Sequence, residues 1–149
     1  MIDIKLKSGP VPIDILLVED NPGDVLLTAE ALREGGVSHY LNVVNNGADA
    51  IAYVRHRGKY ADSLQPDIIL LDINLPKKNG FEVLAEIKED PELKRIPVII
   101  LTTSSSKQDI LKVYDLHANC YIVKPIELDD FFRIIKYVED FWFTLVRLP

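Results

Sequence analysis

A single cysteine, Cys120, stands among 149 residues, so no disulfide can close within the chain. The three histidines, His39, His56 and His117, are scattered, and with one thiol they do not make the ligand spacing of a structural zinc site. Positive charge is scarce: 17 Lys+Arg face 23 Asp+Glu, a net charge of -6, the opposite of what a binder of the phosphate backbone requires. Nucleic acid is therefore not an expected partner. No apolar run approaches the roughly 20 residues that span a bilayer, and Asp3, Lys5 and Lys7 interrupt the first apolar residues, so no signal-peptide core is present. These absences predict a cytoplasmic protein with no membrane contact.

What is there is a rhythm. Short apolar runs at Ile13–Val18, Ile68–Leu71, Val98–Leu101 and Tyr121–Val123 are too brief for helices and rich in Ile, Val and Leu. Such runs suit strands buried on both faces. A weaker run, Tyr40–Val44, carries Asn42 and suits a sheet edge. Helical patterns lie between and after them at Asp24–Glu34, Ala48–Arg57, Phe81–Glu89, Lys107–Leu116 and Leu128–Val146. Strand and helix alternate five times, which predicts an α/β fold, a doubly wound parallel sheet with five helices. Gly35-Gly36 closes the first helix, Asn79 with Glu82 reads as a capping box, and Ser106 with Asp109 has the same spacing. Asn46-Gly47 reads as a strand-to-helix loop. Residues 1–12 read as a leader and 13–149 as one domain without an output domain.

Ligands of an open parallel sheet bind beyond the carboxyl ends of its strands. Those ends carry Glu19-Asp20, Asp72, Thr102 and Lys124-Pro125. A charged residue after one strand is ordinarily a solvated loop residue; three acids, a hydroxyl and an ammonium at one edge are harder to dismiss. Clustered carboxylates repel unless a cation or proton intervenes, and Mg²⁺ with oxygen ligands is the fitting ion. A phosphoryl group on Asp72 would add about -1.5 to -2 charges there, taking phosphoserine as the guide. A metal ion and Lys124 would have to hold it. The pattern predicts a phosphoryl-transfer site with an aspartate nucleophile.

Val18-Glu19-Asp20-Asn21, then Asp72-Ile73-Asn74-Leu75-Pro76 with Gly80, then Thr102, then Tyr121 and Lys124-Pro125 resemble the receiver domain of two-component response regulators over about residues 13–140. The resemblance implies a flavodoxin-like, CheY-like sheet of order 2-1-3-4-5, with Asp72 as phosphoacceptor. It implies that Asp20, Asp72 and the backbone carbonyl of Asn74 ligate Mg²⁺, with Glu19 acting through water. Thr102 and Lys124 would bind the phosphoryl oxygens, and Tyr121 would be an aromatic switch following Thr102. The implied partner is a sensor histidine kinase, with the signal leaving through an unidentified downstream protein. Leu75-Pro76-Lys77-Lys78-Asn79-Gly80, His117-Ala118-Asn119-Cys120-Tyr121, Phe141-Trp142 and Leu148-Pro149 further resemble the stand-alone regulators that partner cyanobacterial phytochromes.

Three alternative readings fit the residues less well. The hydroxyl run Thr102–Ser106 suggests a flavin-phosphate loop, but that phosphate would sit after the first strand, where Glu19 and Asp20 repel it. A Mg²⁺-dependent phosphohydrolase of the haloacid-dehalogenase type places a second Asp two residues after its nucleophile, where this chain has Asn74. A degenerate receiver acting only as a binding module would not need so complete a site. Cys120 and His117 read as packing and helix-end residues. In the last helix, Phe131–Val146, eleven of sixteen residues are apolar, more than the roughly 100° stripe one sheet face covers. Phe132, Tyr137 and Phe141 at its edges predict a homodimer through the fourth helix, fifth strand and last helix.

Overall fold

A computed structural model describes residues 12–35, 38–103, 106–124, 127, 129–130 and 133. Five parallel strands lie in the order β2-β1-β3-β4-β5, as expected. They are β1 (Ile13–Val18), β2 (His39–Val44), β3 (Ile68–Asp72), β4 (Val98–Thr102) and β5 (Cys120–Val123). Among the described residues the α-helices are α1 (Pro22–Glu34), α2 (Gly47–Val54), α3 (Gly80–Glu89) and α4 (Lys107–Asp115), with a 3₁₀ turn at Gly58–Tyr60. Of the helix expected over Leu128–Val146, only Asp129, Asp130 and Arg133 are described, all helical. Phe132, Tyr137 and Phe141 lie outside the described residues, as do Pro125 and the leader through residue 11.

The period of two sorts each strand into two cores. Leu16, Val18, Ile69, Leu71, Val98, Ile100 and Tyr121 face α2, α3 and α4, which contribute Ile51, Val54, Val83, Leu84, Ile87 and Val113. Ile15, Leu17, Ile68, Leu70, Ile99, Leu101 and Ile122 face α1, which contributes Ala31 and Leu32. β3 and β4 are buried along their whole length, while the edge strand β2 leaves Tyr40 and Val43 exposed. The weak apolar run with its Asn42 is an edge for that reason.

Three of the four described helices start a residue or two earlier than the hydrophobic pattern suggests, and α4 starts at Lys107 as expected. Asn21 caps α1 and Pro22 fills its first turn, where a missing N–H costs nothing. Asn79 and Glu82 form the expected reciprocal box on α3, and the Ser106 hydroxyl accepts the Asp109 N–H at 3.2 Å. α2 stops at Val54, short of Arg57, because Arg55 leaves the helical region and His56 adopts φ 56°. At the lower, amino-terminal edge of the sheet the Lys88 ammonium donates to the carbonyls of Lys94 and Ile96 and to Asn119 Oδ1, at 3.1, 2.7 and 3.2 Å. Asn119 in turn joins β4 to β5 through the Val98 N–H.

Candidate functional site

Strand register assembles the site. Val18 pairs with Leu71, which sets Glu19 beside Asp72. Asp72 pairs with Leu101, which sets Thr102 one residue beyond it. Thr102 pairs with Val123, which sets Lys124 one beyond that, and the Lys124 N–H donates to the Thr102 carbonyl at 2.8 Å. Four strand-end residues from far apart in sequence thus meet at the upper edge.

Carboxylate oxygens of Glu19, Asp20 and Asp72 lie within 4.8 Å of one another. Glu19 and Asp72 are buried and Asp20 is exposed, so the cluster opens to solvent on the Asp20 side. Burial pushes the Glu19 carboxyl up to about 7, and the neighbouring Asp72 carboxylate adds to the shift while Lys124 opposes it. Lys124 reaches into this pocket of acids. Its ammonium donates to Glu19, to Asp24 Oδ2 at 2.9 Å and to Asp72 Oδ2 at 3.3 Å. Burial alone would depress the Lys124 pKa, but these bonds and charges outweigh it and hold the pKa above the usual lysine value. Thr102 is fully buried, and Tyr121, two residues back in register on the adjacent strand, is also buried on the face toward α4.

The loop after β3 is held against the site by glycine. The Gly80 N–H donates to the Ile73 carbonyl at 2.8 Å, and a Cβ at Gly80 would stand 2.3 Å from the Asp72 carbonyl oxygen. Only a residue without a side chain lets α3 begin that close to the acceptor strand. The Asn74 N–H donates to Asp72 Oδ1 at 3.3 Å, fixing one face of that carboxylate. Lys78 pairs with Glu86 at 2.9 Å, while Lys77 is exposed and adopts φ 68°.

Glu19, Asp20, Asp72, Thr102 and Lys124 meet at this edge, while Tyr121 lies two residues back on β5. One member escapes the hydrophobic pattern and the motif alike: Asp24, in the first turn of α1. Its only sequence signal is an acid three residues after an Asn cap, which reads as helix capping.

A response regulator receiver domain model matches residues 15–136. The response regulator Rcp1 of Synechocystis sp. is 47% identical over 143 residues, covering 96% of this chain and 97% of that one. Among solved structures, the phosphorylated cyanobacterial phytochrome response regulator RcpA is 52% identical with a TM-score of 0.75, covering 93% of this chain and 99% of that one. The Mn²⁺-bound form of Rcp1 aligns at 47% identity and a TM-score of 0.74, with the same coverage.

Proposed function

Because the chain belongs to the response regulator receiver family, and so to the two-component regulators phosphorylated by sensor histidine kinases, we propose that Asp72 is its phosphoacceptor. The observation that carries this is the placing of one buried carboxylate beside Glu19 and Asp20, with the Lys124 ammonium 3.3 Å away. In the transfer an Asp72 oxygen bonds to phosphorus as the donor histidine's P–N bond breaks. The electron pair leaves with the imidazole nitrogen, which takes up a proton. Lys124 is already in place to balance charge on the arriving oxygens, and the Thr102 hydroxyl lies one register step away to donate to another. Tyr121 shares the Thr102 face of the sheet, which supports its reading as a switch following Thr102.

The acids fit a divalent ion. Three carboxylates with oxygens within 4.8 Å of one another are the hard oxygen donors that Mg²⁺ takes. Asp20 and Asp72 would hold it, with the Asn74 carbonyl, and Glu19 through water. When bound, Mg²⁺ supplies positive charge to the phosphoryl oxygens. Nothing here calls for turnover of a free substrate; the chain is read as a signalling phosphoprotein, not a turnover enzyme.

The names of its relatives support a phytochrome-type histidine kinase as donor, and the chain is read as acting in the cytoplasm. The phosphorylated form would act by protein–protein contact, and the chain is read as a homodimer through α4, β5 and the last helix. Leu111, Tyr114 and Val123 are exposed on the described part of that face. Labelling with a phosphodonor in Mg²⁺ tests the central claim. Wild type should acquire one base-labile phosphate and Asp72→Asn none; equal labelling of the two removes Asp72 from the role.

A further inference from the structure

Three helices of this chain begin alike, with an Asn cap and an acid three residues on: Asn21 and Asp24 in α1, Asn46 and Asp49 in α2, Asn79 and Glu82 in α3. In each, the acid's backbone N–H donates to the Asn side chain, at 3.1, 2.8 and 3.0 Å. The acid's own carboxylate is where they part. Glu82 accepts the Asn79 N–H at 3.0 Å, and Asp49 accepts the Asn46 side-chain amide at 3.0 Å, so both are spent on their own caps. In α1 the Asn21 N–H donates to Glu19 instead, at 3.3 Å. Asp24 is thereby released, and it takes the Lys124 ammonium across 100 residues of chain, at 2.9 Å.

Resting on the reading of Asp72 as acceptor, we propose that Asp24 is a positioning residue that keeps Lys124 aimed at Asp72 while the site is loaded. The ammonium has three protons and three carboxylate partners, Glu19, Asp24 and Asp72. Two of these belong to the acid cluster and are drawn away by any cation that binds there. Asp24 stands outside the cluster and keeps its bond. It is the anchor that does not change between the empty and the loaded site. Its place in the first turn of α1 is one that the helix dipole favours for a carboxylate.

The test is the rate of labelling by acetyl phosphate, in which the P–O bond to acetate breaks as Asp72 gains phosphorus, together with Mg²⁺ affinity by calorimetry. Asp24→Asn should label about tenfold more slowly, the scale expected when a positioned charge is left to wander. Its Mg²⁺ affinity should stay within about twofold of wild type, since no metal ligand is touched. Asp24→Glu, which restores the charge, should recover most of the rate, and Asp24→Ser provides a second uncharged variant should Asn prove unstable. Wild-type rates in both uncharged variants overturn the proposal. So does a parallel loss of Mg²⁺ affinity and labelling, the mark of a merely structural role. A wild-type protein that takes no phosphate at all would instead sink the acceptor reading.

Discussion

Lys88 and Lys124 lie largely buried at opposite edges of one sheet, and their surroundings treat them in opposite ways. Lys88 donates to two carbonyls and one side-chain amide oxygen, all neutral, and burial pulls its pKa down to about 8. Lys124 meets three carboxylates, and burial, which would act on it as on Lys88, is outweighed. The lower lysine ties loops together; the upper one offsets a concentration of negative charge. A buried ammonium is therefore informative only through its partners. Neutral oxygens identify a staple, whereas a ring of acids identifies a place where charge is about to change.

The comparison breaks most visibly at Lys124. Lys124→Gln leaves three acids without their ammonium, so phosphodonor labelling should fall by about a hundredfold or more. Stability should fall by about 3 kcal/mol, the cost of stripping one partner from a buried pair. Labelling kinetics and urea titration check both. Lys88→Met should leave labelling untouched while removing about 1–2 kcal/mol through the acceptors it abandons. A labelling defect in that variant would mean the two edges are coupled.

A smaller and sharper effect lies in pH. The folded pKa of Lys88 is below its ordinary 10.5, so the unfolded chain binds more protons between about 8 and 10.5, and stability through this group rises with pH in that window. Glu19 has the opposite sign. Its folded pKa is raised from 4.5 to about 7, so its contribution is complete below 4.5 and is lost as pH climbs through 7. Denaturation of metal-free protein across pH should show the upper slope flatten in Lys88→Met and the lower slope flatten in Glu19→Gln. Mg²⁺ should erase only the lower one.

Much of this could be read from the sequence, for a physical reason. Runs such as Ile68–Leu71 and Val98–Leu101 are wholly apolar because both faces of a central strand are covered, so strand position and the residue after it are visible together. Asp72, Thr102 and Lys124 follow directly from that. Lys88 and Asp24 do not. A lysine near the end of an amphipathic helix looks like a solvent-facing residue, and an acid three residues after Asn21 looks like every other cap in the chain. What distinguishes them is which partner the folded chain brings near, and Lys124 is 100 residues from Asp24.

The short strand β5 has a further property. It is a sheet edge of four residues, paired among the described strands with β4 alone. Edge segments of that size ordinarily open first in native-state fluctuations, with little free energy opposing them. Here the residue just past the strand is clamped to α1, β1 and β3, two and three strands away in the sheet. Detaching β5 means withdrawing an ammonium from three carboxylates at once, so its hydrogen-exchange protection is tied to the charge state of the upper edge rather than to its own four rungs of hydrogen bonds.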